Sequence, residues 1–593
     1  MAENRKRDSQ KMRNITKVSK DLTETSPLLQ TSDESSSQNS DTVNSVSGCR
    51  ASCARRPFPQ GKGLLLLLFV YFVESFAFYC ATKSIRELLF KDETSQARGS
   101  FLFSLVYNTL GRLFYPFAGV LADTFWGRYK VIKFGLWLIA FALGFICINL
   151  SIIDDVTEPV GGIFLPIICI LLVAIGSACV EVNAISFGVD QLPQGCTSDQ
   201  ISSYFLWYYF ARNASSLLGV IAFLMLQVVP LFFPFEKDYY YYKGLKVLMK
   251  SVDIHYKTLI VILIAASAIV CSLLLHIFKH NWYFKNSQRE NPVKTIINVS
   301  WYSLTVKRHL PVYRRTFRYG EARQPRIELA KKEFDGIFEA EEVENVKSFY
   351  QILFLILSLG GFLICNGGAL SILPYQFEDI TEELSKSYYS IAFYLNDLVN
   401  TVTIVIFIPL FNHVALPFLP LLSMSLKFRM IIGLVLNLIA TLTAVFIEIT
   451  VEIDRNDSGN EKLIWLLLPA IVFSVAETLT IVSCLEFIYA QAPEPMKGLL
   501  TGLFYFMFGV FGGISNIVFY YFPFSRQKVD KINYILWFYV LLTIVAALGF
   551  LMYVIVMWFY RNRRRPAVDE EDLTNRLYAQ NVYFPQNVST VVK

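Results

Sequence analysis

The sequence predicts an all-α polytopic membrane protein, with twelve transmembrane helices arranged as two six-helix bundles. Three observations carry that prediction. Of 593 residues, 54% are hydrophobic and 17% charged, whereas a soluble domain is nearer a quarter charged. The apolar residues gather into runs of about 20 or more, long enough to cross a hydrocarbon core of roughly 30 Å as helix. A single long polar break, about 280–347, divides those runs six and six.

In chain order, residues 1–60 form a polar tail rich in Ser and Thr, as in TSDESSSQNSDTVNS. Such a segment cannot bury enough surface to fold alone. No apolar stretch follows the first Met, so no cleaved signal peptide is expected and span 1 serves as the insertion signal. Glu24, Leu28 and Leu29 spell Glu-x-x-x-Leu-Leu, a pattern that cytosolic adaptors read when routing membrane proteins to endosomes and lysosomes. Cys49 and Cys53 precede the first span and are acylation candidates, with free thiols the plainer reading.

The first bundle, 61–280, holds spans 1 to 6 at about 63–85, 100–122, 130–152, 162–186, 202–230 and 257–279. The linker, 281–347, is rich in Lys and Arg and is expected to contain an amphipathic helix. The second bundle, 348–560, holds spans 7 to 12 at about 348–372, 389–411, 428–450, 463–488, 498–522 and 533–560. A polar C-terminal tail covers 561–593. Basic residues flank span 1 (Arg55, Arg56, Lys62) and span 12 (Arg561, Arg563, Arg564). An even span count with basic tails and a basic linker puts all three in the cytosol. Asn456 in Asn-Asp-Ser then lies in an outer loop as a glycosylation acceptor.

The net charge of +6 resides mainly in tails and linker, so nucleic-acid binding is not expected. The ten cysteines and five histidines show neither a disulfide framework nor metal-ligand spacing. No nucleophile–base pair is visible either, so the chain is not read as an enzyme and no cofactor is expected.

The informative residues are ionisable groups at membrane depth, each costing roughly 2.5–3.5 kcal/mol on insertion scales. They are Glu74 in span 1, Arg112 in span 2, Glu181 in span 4, Arg212 in span 5, Asp397 in span 8, and Glu477 and Glu486 in span 10. Asp397 and Asn400 are three apart and share a helix face, as do Tyr209 and Asn213, four apart. Arg212 points about 100° away from Asn213 and toward a neighbour such as span 4, where Glu181 is the opposite charge. A buried surplus of carboxylates suits proton uptake or a cationic substrate group.

Several motifs then point one way. Gly119, at the end of span 2, and Asp123, Gly127, Arg128 and Lys130 after it have a spacing that resembles the major facilitator signature, which implies the major facilitator fold. Span 4 runs into FGVDQ, with Asp190 and Gln191, followed by SYFLWYYFARNASSLLG. Span 10 reads AETLTIVSCLEFIYAQAPEPMKG and span 8 VNTVTIVIFIPLF. These stretches resemble the proton-coupled oligopeptide transporter family (solute carrier family 15). The linker's AKKEFDGIFEAEEVENVK resembles that of its peptide/histidine transporter subgroup.

The resemblance implies proton-coupled symport of di- and tripeptides or histidine-like amino acids by alternating access, with a small molecule as substrate. The apolar spans make the lipid bilayer a partner, and the dileucine points to a cytosolic adaptor and an endolysosomal membrane. By the same resemblance Glu477 meets a substrate ammonium. Tyr79, Tyr209, Asn213 and Asn400 are polar pocket residues, and Phe504 holds the place of a pocket tryptophan. This chain departs from the pattern at three places. Span 1 keeps Glu74 but lacks the motif's other acid and its arginine, the span-4 lysine is Glu181, and the span-7 tryptophan falls on Gly361. Glu74, Arg112, Glu181, Arg212 and Asp397 thus form the altered charge set, with Glu486 grouped among the gating residues. Two alternatives stay open: a divergent carrier for another amine-bearing solute, or a transporter-derived scaffold with weak or no transport.

Overall fold

The computed structural model describes residues 61–89, 111–152, 164–193, 198–232, 243–285, 291–306, 325–334, 336–368, 389–415, 425–453, 461–521 and 531–560. Glu24, Leu28, Leu29, Cys49, Cys53 and Asn456 lie outside the described residues, as does the first half of span 2.

The described chain is helical almost throughout. Its one β feature among the described residues is an isolated bridge between Lys331 and Phe338 in the linker. Hydrocarbon offers no partner for backbone N–H and C=O groups, so a spanning segment satisfies them within its own helix. The spans accordingly fold as Lys62–Leu89, Arg128–Ile152, Phe164–Asp190, Ser198–Phe232, Lys243–Phe278, Tyr389–Leu410, Leu426–Ile453, Glu461–Gln491, Lys497–Tyr521 and Lys531–Phe559. Span 7 begins at Ala340, earlier than the expected 348, and is interrupted at Leu359 before continuing to 368.

Ten helices among the described residues are long and apolar enough to cross a membrane, against the twelve expected. The two shortfalls have separate causes. Span 2 is described only from Gly111, as a short 3-10 turn, the helix Tyr115–Leu121 and a π turn at Ala122–Trp126. Span 5 is a 35-residue helix, but its tyrosines, Trp207, Arg212 and Asn213 lower its apolar content.

Packing separates inner from outer helices. Spans 3 and 6 pack on spans 4 and 1, and spans 9 and 12 pack on each other and, through span 9, on span 10. Their outer faces stay apolar and exposed. Trp137, Phe141 and Phe145 stack along span 3, and Leu548, Leu551 and Trp558 line span 12. Such a belt suits contact with lipid. The two halves meet through span 2 against span 11 and span 5 against span 8.

The linker helix Pro292–Thr305 starts at Asn291, whose side chain accepts from the Lys294 amide at 3.1 Å. One of its faces buries Val299 on the body; the other exposes Ile297, Trp301 and Leu304. Linker and span 7 are tied by Lys347, whose ammonium pairs with Glu328 and, at 2.8 Å, with Glu344.

Candidate functional site: an inter-helical charge cluster

At the centre, Glu477 of span 10 is the acceptor that joins the halves. Tyr209 of span 5 donates its hydroxyl to Oε1 at 2.5 Å, and Asn366 of span 7 donates to Oε2 at 3.1 Å. Asn213 stands one turn beyond Tyr209 and donates to the Tyr209 carbonyl at 2.9 Å. On span 8, Asn400 accepts from Ser474 at 2.6 Å, one turn before Glu477.

Beside this lies a second acidic group. Glu181 is ion-paired with Arg212 and also accepts from the Tyr115 hydroxyl at 2.7 Å. Antiparallel neighbours bring two mid-span residues to one depth, which is why these charges meet. Glu74, 1% exposed, accepts from Ser177 at 2.5 Å and from Ser75 at 3.4 Å. Arg112 stacks over the Phe508 ring at 4.2 Å. Phe504 is fully buried and packs edge-on to Tyr505, which in turn leans on Tyr115.

Toward the face opposite the linker, Tyr79 donates to Asp397 at 3.1 Å and Lys83 pairs with the same carboxylate at 2.5 Å. Asp397 therefore reaches span 1 while Asn400, on the same helix, reaches span 10.

At the linker face, Asp123 accepts from the amides of Gly498 (2.9 Å) and Leu499 (3.3 Å) at the start of the span-11 helix. A helix start leaves unpaired N–H donors and a partial positive charge, and a carboxylate meets both. Burial pushes the Asp123 carboxyl up to about 6, with Arg128 and the two amides opposing the rise. Gly119 makes this approach feasible, because a Cβ there would lie 2.2 Å from the Gly498 carbonyl oxygen. Gly127 holds the turn at φ +78°, where a side chain is disfavoured. Arg128 pairs with Asp190 at 2.6 Å and reaches Asp123 at 3.8 Å, while Lys130 is exposed. Gln191 clamps the linker backbone at Phe284, donating at 2.9 Å and accepting at 2.8 Å. Glu486 accepts from Ser202 of span 5 and lies 3.5 Å from Arg429.

A family profile described as PTR2: POT family matches residues 129–533. The chain belongs to the POT family. Among its relatives, Solute carrier family 15 member 1 of Homo sapiens is 24% identical over 430 residues, covering 66% of this chain and 52% of that protein. Protein NRT1/PTR FAMILY 3.1 of Arabidopsis thaliana is 22% identical over 486 residues, covering 73% and 79%. Four further curated relatives are matched over less than half of their own length. The solved POT family transporter PepTSo superposes with a TM-score of 0.56 at 15% identity, over 84% of this chain and 98% of that one. The Escherichia coli fucose:proton symporter FucP gives 0.51 at 11% identity, over 83% and 98%. These likenesses show the major facilitator fold.

Set in that fold, one expected position is misplaced. Gly361 is no cavity wall, since a Cβ there would lie 2.7 Å from the Gly549 Cα of span 12. A tryptophan has no space at that helix crossing. Sequence reasoning also passed over Lys83, Asn366, Tyr115 and Ser177, which complete the polar contacts of this POT member.

Proposed function

We propose that this POT member is a secondary active transporter that moves small peptides or histidine-like amino acids by alternating access, driven by protons. The observation that carries the reading is Glu477. It is a buried carboxylate, contacted from both halves by a hydroxyl and an amide. An ammonium entering there brings the positive charge that neither neutral donor supplies. Solved POT family transporters hold 5-aminolevulinic acid in one case and a thioalcohol-conjugated peptide in another. Both are consistent with a site for amine-bearing solutes.

Glu74, held by serine hydroxyls, is the residue we assign to proton uptake. The dileucine at Glu24, Leu28 and Leu29 supports an endolysosomal address through a cytosolic adaptor, and Asn456 a lumenal glycan. Isotope uptake into proteoliposomes, with and without an inward acid gradient, tests the reading. Uptake should rise with the gradient and disappear in E477Q; uptake that ignores the gradient refutes proton coupling.

A further inference from the structure

A basic cluster lies apart from the contacts between halves, at the linker-face ends of spans 1, 3 and 6. There Lys62, Lys133, Lys279 and Lys285 converge on two aromatic rings. Over Trp282 stand the Lys279 ammonium, 5.0 Å from the ring centroid, and that of Lys62 at 6.0 Å. Over Tyr129 stands Lys285 at 4.4 Å. Lys133 is one turn beyond Tyr129, and burial together with its charge holds the Lys285 amine below the usual lysine pKa. Among the described residues none of the four lysines is ion-paired. The turn that presents them is pinned on several sides. A Cβ on Gly63 would lie 2.4 Å from the Trp282 carbonyl oxygen, so the start of span 1 sits against its backbone. Tyr283 is buried with its hydroxyl 3.1 Å from His276 Nδ1, and Gln191 clamps Phe284. The backbone therefore cannot move away to relieve the gathered positive charge.

The cluster also opens onto the lipid-facing surface. Lys133, Trp137, Phe141 and Phe145 recur every four residues on one exposed face of span 3. Span 6, which packs on span 3, exposes Phe278 at its end. Four ammoniums thus cap an apolar lane at a span end, the depth of lipid headgroups. Basic clusters in such positions take up anionic lipid headgroups. We propose that these ends of spans 1, 3 and 6 form a site for a phosphorylated inositol lipid, its phosphates on the four lysines and its acyl chains along Trp137 and Phe141. A singly charged headgroup would leave most of the cluster unmatched, and a soluble polyphosphate would leave the apolar lane unused. The site stands apart from Glu477 and holds whether or not the chain transports.

The test titrates the purified full chain in detergent with dioctanoyl phosphatidylinositol bisphosphate, dioctanoyl phosphatidylserine and inositol trisphosphate. Bound ligand is counted by native mass spectrometry. The inositol lipid should bind about tenfold or more tighter than either of the others. K133A and K285A should each weaken it about fivefold, and the double variant about 25-fold. Both lysines are exposed, so the lipid-free double variant should melt like wild type. K294A, which removes an exposed lysine from the linker helix, should change nothing. Equal binding of the serine lipid reduces the cluster to general charge attraction and overturns the proposal, as does absence of binding by the inositol lipid. Inositol trisphosphate bound as tightly as the lipid overturns the lipid assignment in favour of a soluble polyphosphate. An unchanged affinity in the folded double variant overturns the site. Should that variant fail to fold, the wild-type comparison of the three ligands decides.

Discussion

Replacing Gly119 by Ala should open the linker face. The added Cβ would start 2.2 Å from the Gly498 carbonyl oxygen and 2.9 Å from the Leu499 nitrogen, whereas real Cβ contacts stay beyond 3.0 Å. The obstacle on the other side is backbone, so spans 2 and 11 must separate by most of an ångström. Asp123 sits one turn beyond Gly119, and its 2.9 and 3.3 Å bonds to the Gly498 and Leu499 amides then stretch past hydrogen-bonding reach. With burial holding the Asp123 carboxyl at about 6, the bonds are counted at the ordinary net of about 1 kcal/mol each rather than the charge-assisted figure. About 2 kcal/mol is then lost, a shift of roughly 30-fold away from the closed linker face. Alanine by itself strengthens a helix relative to glycine, so the sign cannot come from helix propensity. Gly144→Ala in span 3 is the control, because nothing lies within 4 Å of a Cβ there. Spin-label distances between the linker-face ends of spans 2 and 11, measured in nanodiscs, provide the readout. G119A should populate the longer distance and G144A should match wild type. An unchanged distribution in G119A would show that the Gly119–Gly498 contact does not govern closure.

Two further outcomes follow from the same contacts. The closed linker face holds the Asp123 carboxyl at about 6, against the usual 3.8 in water. Acid therefore favours closure: the contribution is full below the water value and is lost as pH rises through 6. Spin-label distances should shorten between pH 7 and 5 in wild type and lose that dependence in D123N; an identical profile in both refutes the assignment. At the opposite face, the Lys83–Asp397 pair is 15% and 28% exposed, between the buried and surface classes. K83D alone should destabilise closure there by about 1–3 kcal/mol, and the swap K83D with D397K should recover it. A swap no better than the single variant argues against the contact.

What the sequence disclosed depended on whether a residue carries its own signal. Spans with unbroken apolar runs were readable, because hydropathy and helix length are both local properties. Span 5 passes as a helix by its neighbours rather than by apolarity, since tyrosines, Arg212 and Asn213 face the interior. Glu181 and Arg212 were readable as partners because opposite charges in consecutive antiparallel spans have few other places to go. Lys83 was not. It lies at the end of an apolar run, where a lysine reads as an interfacial flank, and its partner is 314 residues away. Asn366 and Ser177 are neutral and cost little in a helix, so nothing marks them until Glu477 and Glu74 are seen beside them. Gly361 failed for a related reason: a motif position assigns a residue to a family site, while helix rotation decides which neighbour it meets.

The contacts between halves form three levels, and each turns on a carboxylate. Asp123 receives two amides at the linker face, with Ser202 on Glu486 nearby. Tyr209 donates to Glu477 at the centre. Tyr79 and Lys83 hold Asp397 at the opposite face. Each level holds one to three such polar contacts, a few kcal/mol in all. On the alternating-access reading proposed above, opening one face costs less than releasing both together, which favours rocking of the halves over parting. Every acceptor is also a group that a proton or an amine neutralises. On the same reading, an ammonium bound to Glu477 would compete with the Tyr209 hydroxyl and trade the central contact between halves for one with the solute, which would link binding to rocking through one carboxylate.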